Sequence, residues 1–103
     1  MIELKNGGLS VTGPMLIANA NALLKAGRGF LRADVAPTAM AGSSEIIFDL
    51  SAVAETDSSA LSVIFGLLRT ARECGVTLRV AHPPASMISQ AALYGVTDSL
   101  PLA

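Results

Sequence analysis

The chain has 103 residues, with 7 Lys and Arg against 8 Asp and Glu and a formal net charge of −1. That length supports one core and not two, so residues 1–103 are read as a single domain. Near-neutrality excludes electrostatic capture of nucleic acid or of an anionic membrane surface as the basis of its function. No stretch approaches the roughly 20 apolar residues that a membrane span needs, and MIELKNGGLS lacks the basic and apolar regions of a signal peptide. One cysteine, Cys74, rules out an internal disulfide and fits a reducing compartment. The expectation is a small, soluble, cytoplasmic domain. Apolar residues make up 51% of it and charged ones 15%, which leaves more apolar surface than a small domain can bury and leans toward a bound partner.

Met1–Lys5 alternates apolar and polar residues, as a strand does, and Asn6-Gly7-Gly8 is turn chemistry for a hairpin. Leu9–Thr12 alternates again and ends at Gly13-Pro14. From Met15 the spacing becomes helical, with Leu16, Ile17, Ala20, Leu23 and Leu24 recurring at three and four. Pro14 suits the first turn of that helix, and Gly27 is read as its stop after Lys25 or Ala26. Over Gly29–Ser44, Phe30, Leu31 and Val35 either extend the helix or pack a loop on the sheet, and Pro37 and Gly42-Ser43-Ser44 mark a connector. Ile46–Leu50 is a compact apolar strand carrying Asp49. A long helix then opens on Asp57-Ser58-Ser59 and ends at Cys74-Gly75. Val76–Val80 alternates with β-branched residues, which makes a strand–helix–strand unit with parallel pairing and a right-handed crossover. Pro83-Pro84 forces a break, Ala85–Tyr94 is a last short helix capped by Gly95, and Val96–Leu102 closes the chain with a turn or short strand. The order β-β-α-β-α-β-α predicts a mixed four-stranded sheet covered by three helices, a compact α/β sandwich.

The start of the long helix is the place to look for function. Asp57 is a good N-cap, and its charge suits the positive end of the helix dipole. Two hydroxyls follow in the first turn, where four backbone N–H groups lack an intrahelical partner. At 100° per residue, Leu61, Ile64, Phe65 and Leu68 share the side expected to face the sheet. Ala60, Val63, Leu67 and Ala71 form a second apolar strip, and Ser58, Ser59, Ser62, Gly66, Arg69 and Glu73 hold the remaining side. Two accounts fit this wheel. In one, the serines merely suit a helix start and the second strip packs on a neighbouring helix. In the other, the strip is the core of a docking surface and the small Ser and Gly residues let a partner backbone approach. Phosphorylation of Ser58 would add charge beside Asp57 and burden such a contact, which is how a hydroxyl becomes an off-switch.

FDLSAVAETDSSALSVIFGLLRTARECGVTLRV resembles the signature region of STAS domains, the fold of anti-sigma-factor antagonists. The resemblance implies a STAS-like sandwich. In the bacterial antagonists the motif is Asp-Ser-Ser-Gly or Asp-Thr-Ala-Gly, and its first hydroxyl residue is phosphorylated; that role falls on Ser58. Ala60 stands here where glycine is usual. VTGPM with ALLKAGRGFL, and PPASMISQAALYGVTDSLP near the end, are similar to the STAS subunits of Gram-negative Mla-type phospholipid-transport ABC complexes. This second resemblance implies a non-enzymatic subunit on the cytoplasmic side that binds the ATPase subunit, and through it the permease complex, with no direct membrane insertion. It implies a partner-binding surface of Asp57, Ser58, Ser59, Ser62, Val63 and Gly66, with Ser58 a candidate for phosphorylation in the antagonist alternative.

Other residues offer less chemistry. His82 has no Cys or second His at metal-ligand spacing and reads as a strand-end surface residue. Cys74 has no nearby base and reads as packing. Asp49, Glu55 and Asp57 form an imaginable carboxylate cluster, but no phosphate-cradling glycine loop accompanies them. Tyr94 is either a partner anchor or a core-edge residue. With no nucleophile–base pair in view, the expectation is a protein that is not an enzyme, with no catalytic residue, cofactor, metal, nucleic-acid or small-molecule substrate site.

Overall fold

The structure, a computed structural model, describes residues 2–5, 8–35 and 44–102. Its elements are β1 (Ile2–Lys5), β2 (Gly8–Thr12), α1 (Ile17–Phe30), β3 (Ser44–Ala52), α2 (Ser58–Glu73), β4 (Val76–Ala81) and α3 (Ala85–Leu93). The strands form one sheet in the order β1-β2-β3-β4. β1 pairs antiparallel with β2, and β2, β3 and β4 run parallel. The predicted order and mixed four-stranded sheet are therefore present. Asn6, Gly7, Pro37 and the Gly42-Ser43 pair, on which the turn and connector readings rest, lie outside the described residues.

Two right-handed crossovers taken in the same direction across a sheet put their helices on the same face. Burial agrees. Ile46, Phe48 and Leu50 on β3, and Val76, Leu78 and Val80 on β4, are buried, while Glu45, Ile47, Ser51 and Thr77 between them are exposed. The apolar run on β3 is thus a half-buried strand with Ile47 facing outward. Opposite Ile47, Gly8 is not a turn residue as expected but the first residue of β2. A Cβ there would lie 2.5 Å from the Ile47 carbonyl oxygen, so the close β2–β3 approach requires glycine.

α1 departs from expectation at both ends. Pro14 precedes the helix instead of entering it, because Met15 is used otherwise. Its amide donates to the Glu55 carbonyl at 2.8 Å, its carbonyl accepts from the Asp57 amide at 3.3 Å, and it forms a parallel bridge with Thr56. The helix runs past Gly27 to Phe30 and then widens into one π-helical turn, Leu31–Val35, with Leu31 fully buried. Gly27 is no stop. It is buried in mid-helix, where a Cβ would meet the Leu67 side chain at 2.6 Å, so its missing side chain sets how closely α1 and α2 pack.

α2 begins and ends as predicted. Asp57 is its N-cap, Cys74 its C-cap, and Gly75 turns the chain with φ +74°. Gly95 does the same after α3 with φ +69°. The tail forms a 3-10 turn, Thr97–Ser99, and then returns to the sheet, where Leu102 bridges Val80 and the Val80 amide donates to the Pro101 carbonyl at 2.8 Å.

Candidate functional site

The exposed start of α2 is built by one carboxylate. Asp57 Oδ1 accepts from the Ser59 amide at 2.8 Å, the expected cap, and Oδ2 accepts from the Ile17 amide at 3.0 Å. Leu16, the N-cap of α1, offers no side-chain cap of its own. Asp57 therefore caps two helices at once, its own and α1, and fixes both N-termini against each other. The Ile17 amide first, and the Ser59 amide after it, hold the Asp57 carboxyl below the usual carboxylate range. Such a depressed group stabilises the fold above its unfolded value of 3.8 and ceases to do so as pH falls through the lower folded value. The stability difference between wild type and Asp57→Asn should accordingly be flat near neutral pH, begin to shrink near pH 3.8 and vanish in stronger acid. Chemical denaturation across that range checks this; a difference that persists undiminished in acid would exclude the charged cap.

The clamp presents Ser58 and Ser62 outward. Both are exposed, one turn apart on the same side of α2, and neither hydroxyl has a hydrogen-bond partner among the described residues. Ser59 is half-buried behind them, and Asp57 spends both oxygens internally. Ile17, read as part of the apolar spacing of α1, is instead 78% exposed and adjoins Asp57 through its amide. No periodicity could have placed it here, because the link depends on a bond between residues 40 apart.

Two of the six expected contact residues do not belong to this surface. Val63 is 2% exposed, and the whole second strip of Ala60, Val63, Leu67 and Ala71 is buried inside the chain. All four belong to the common core, and Leu67 among them meets Gly27 of α1, so the wide apolar arc is covered within the chain and needs no partner to explain it. Phe65 and Leu68, expected to face the sheet squarely, are only half-buried at the margin of that arc. Gly66 is half-buried for a related reason. A Cβ there would meet Leu24 at 2.7 Å, so its smallness admits α1 and not an outside backbone. Thr70 completes this seam. It is buried, its Oγ1 accepts from Arg28 Nε at 3.2 Å, and it donates to the Gly66 carbonyl at 3.3 Å.

Asp49 lies apart from Asp57. It accepts from the Ser51 amide at 3.0 Å and the Ser51 hydroxyl at 3.1 Å, and its Oδ1 is 3.3 Å from His82 Nδ1. The Ser51 amide chiefly, with the Ser51 hydroxyl and His82, lowers its carboxyl from the ordinary value. His82 is an exposed residue just past the end of β4, with φ +54°. Among the described residues no group of three His, Cys, Asp or Glu is arranged to hold a metal ion. Cys74 is half-buried against the core. Tyr94 is exposed at the end of α3 opposite Ser86, whose hydroxyl meets Thr56 near the Asp57 clamp. No helix among the described residues is long and apolar enough to cross a membrane.

Comparison with known families places this arrangement. The STAS domain family matches residues 5–103, and the chain belongs to that family. No curated protein matches it by sequence. Among solved structures it is similar to a Thermotoga maritima protein assigned as an anti-sigma factor antagonist, at a TM-score of 0.71 and 18% identity over 99% of this chain and 83% of that one. It is also similar to the anti-sigma factor antagonist SpoIIAA in its unphosphorylated form, at 0.60 and 11% over 90% and 81%. A sulfate transporter family protein from Wolinella succinogenes matches at 0.62 and 14% over 88% and 67%. At these identities the likeness is one of fold.

Proposed function

We propose that the chain is a non-catalytic subunit that binds and supports the ATPase subunit of an ABC transporter for intermembrane phospholipid transport, a process that maintains outer-membrane lipid asymmetry. In this reading it works in the cytoplasm, reaches the inner membrane only through its partner, and binds through Ser58 and Ser62 with Ile17 at their edge. The observation that carries a docking role is the pair of exposed hydroxyls, without a partner among the described residues, on a helix start that Asp57 caps together with α1. A preformed surface loses little conformational entropy on binding. The choice of partner rests on the resemblance of the chain's two ends, Leu-Tyr-Gly-Val with the later Leu-Pro above all, to the Mla-type subunits.

A second reading is an anti-sigma-factor antagonist switched by phosphorylation of Ser58. Exposure of that hydroxyl supports it, as do the antagonists among the structural neighbours. Against it, a phosphate on Ser58 would stand beside the Asp57 carboxylate, which is anionic at neutral pH. Co-expression with a tagged ATPase subunit of an Mla-type transporter from the same organism tests the first reading. Stoichiometric co-purification is expected. Absence of the wild-type chain from the eluate, together with phosphorylation at Ser58 by a neighbouring anti-sigma kinase, would transfer the assignment to the second.

A further inference from the structure

The net charge of −1 hides an uneven distribution. Four of the seven basic residues, Lys25, Arg28, Arg32 and Arg69, gather where the C-terminal half of α1 runs beside the middle of α2. The first three of these line an open cleft of about 560 Å³ with Asn21, Leu24 and Gly29. Arg69 stands exposed on α2 between Gly66, which touches Leu24, and Glu73, which touches Arg32. The one carboxylate paired with these cations among the described residues is Glu73, 3.9 Å from Arg32, with both side chains more than half exposed. An exposed pair of that length contributes little and yields readily to a competitor. Lys25 and Arg69 have no partner among the described residues.

Arg28 differs from a loose surface cation. Thr70 is buried and accepts from its Nε at 3.2 Å, which holds the guanidinium in place, and its terminal nitrogens have no hydrogen-bond partner among the described residues. A planar fork held in place matches a carboxylate bidentately and loses little rotamer freedom on doing so.

We propose that this cleft takes an acidic stretch of the partner protein, its Asp or Glu side chains pairing with Arg28, Lys25 and Arg69. The inference deepens and rests on the reading above: Arg69 lies on the same exposed side of α2 as Ser58 and Ser62, and the cleft on α1 adjoins α2 through Leu24 and Arg28. The cleft is open, and its one large apolar residue, Leu24, is half-buried, so it offers charge but little of the exposed apolar face that insertion into a lipid surface needs, and suits an acidic chain segment better.

The test uses the whole chain and a hexaglutamate peptide, followed by amide NMR shifts. Perturbations confined to Leu24–Arg32 and Gly66–Glu73 are expected, weakening as salt rises because screening acts within about 8 Å at physiological ionic strength. Lys25→Glu/Arg69→Glu should weaken the interaction by about tenfold or more with an unchanged thermal melt. Absence of localised shifts, or equal shifts in the variant, would overturn the proposal. Binding of the chain to phosphatidylglycerol vesicles while hexaglutamate moves nothing would assign the patch to a membrane instead. Peptide binding without capture by the ATPase subunit upholds the cleft and removes that partner; capture without peptide binding does the reverse.

Discussion

Ser58→Arg is expected to abolish capture by the ATPase subunit, a loss of at least about 100-fold, with thermal unfolding within about 1 kcal/mol of wild type. The two effects separate because Ser58 supplies surface and not support. It is exposed, its hydroxyl bonds nothing within the described chain, and the cap belongs to Asp57. A cation in the first turn opposes the helix dipole, which costs roughly 0.3–1 kcal/mol. On the docking side, a long guanidinium replaces a hydroxymethyl group at the centre of a small-residue patch. Ser62→Arg, one turn along, should behave alike. Val63→Ala should do the opposite: it opens a cavity in the core, costs about 1–3 kcal/mol, and leaves capture intact once the chain is folded. If Ser58→Arg instead unfolded the protein, the first-turn serines would be structural, and the surface would have to be sought elsewhere.

The second large effect lies in the α1–α2 seam. Leu67→Ala should destabilise the fold by about 2–5 kcal/mol, since Leu67 is fully buried where the two helices meet. Gly27→Ala should cost about 1–3 kcal/mol through overpacking, partly offset by the roughly 1 kcal/mol better helix propensity of alanine. The new methyl would sit 2.6 Å from one Leu67 methyl and 3.0 Å from the other, and a buried Leu67 has nowhere to go. The double variant should lose less than the sum, by about 0.5–3 kcal/mol, because the alanine methyl enters space that Leu67 vacates. Gly66→Ala should be milder than Gly27→Ala, because the half-buried Leu24 that it meets can swing toward solvent. Urea unfolding of the four chains measures the coupling. Strict additivity would mean that α1 and α2 do not interlock at this point.

Much of the architecture is written in local pattern. Alternation at Leu9–Thr12 and Val76–Val80, the glycine turns at Gly75 and Gly95, and the Asp57 cap are each set by residues within a few positions of one another, so the sequence alone located them. The Asp-Ser-Ser motif was legible in the same way, as was the family resemblance that it carries. Errors arose where one residue type serves two purposes. Gly27 and Gly66 look like a stop and a flat outer face, yet each is small because another helix presses on it. Gly8 looks like a turn and is a strand residue beneath a carbonyl. For the second apolar strip the wheel leaves two accounts, packing within the chain or a docking core, and its burial decides for the first.

By itself, the sequence determined the element order, the capped start of α2 and the choice of Ser58 as the residue to examine. Tertiary structure decided which of its neighbours share that surface. It buried Val63 in the core, set Gly66 against α1, brought out Ile17, and made Asp57 the common cap of two helices. The physical reason is range. Caps, turns and periodicity act over one to four residues, whereas the Ile17–Asp57 and Arg28–Thr70 bonds join residues 40 and 42 apart, and only the folded chain brings them within reach.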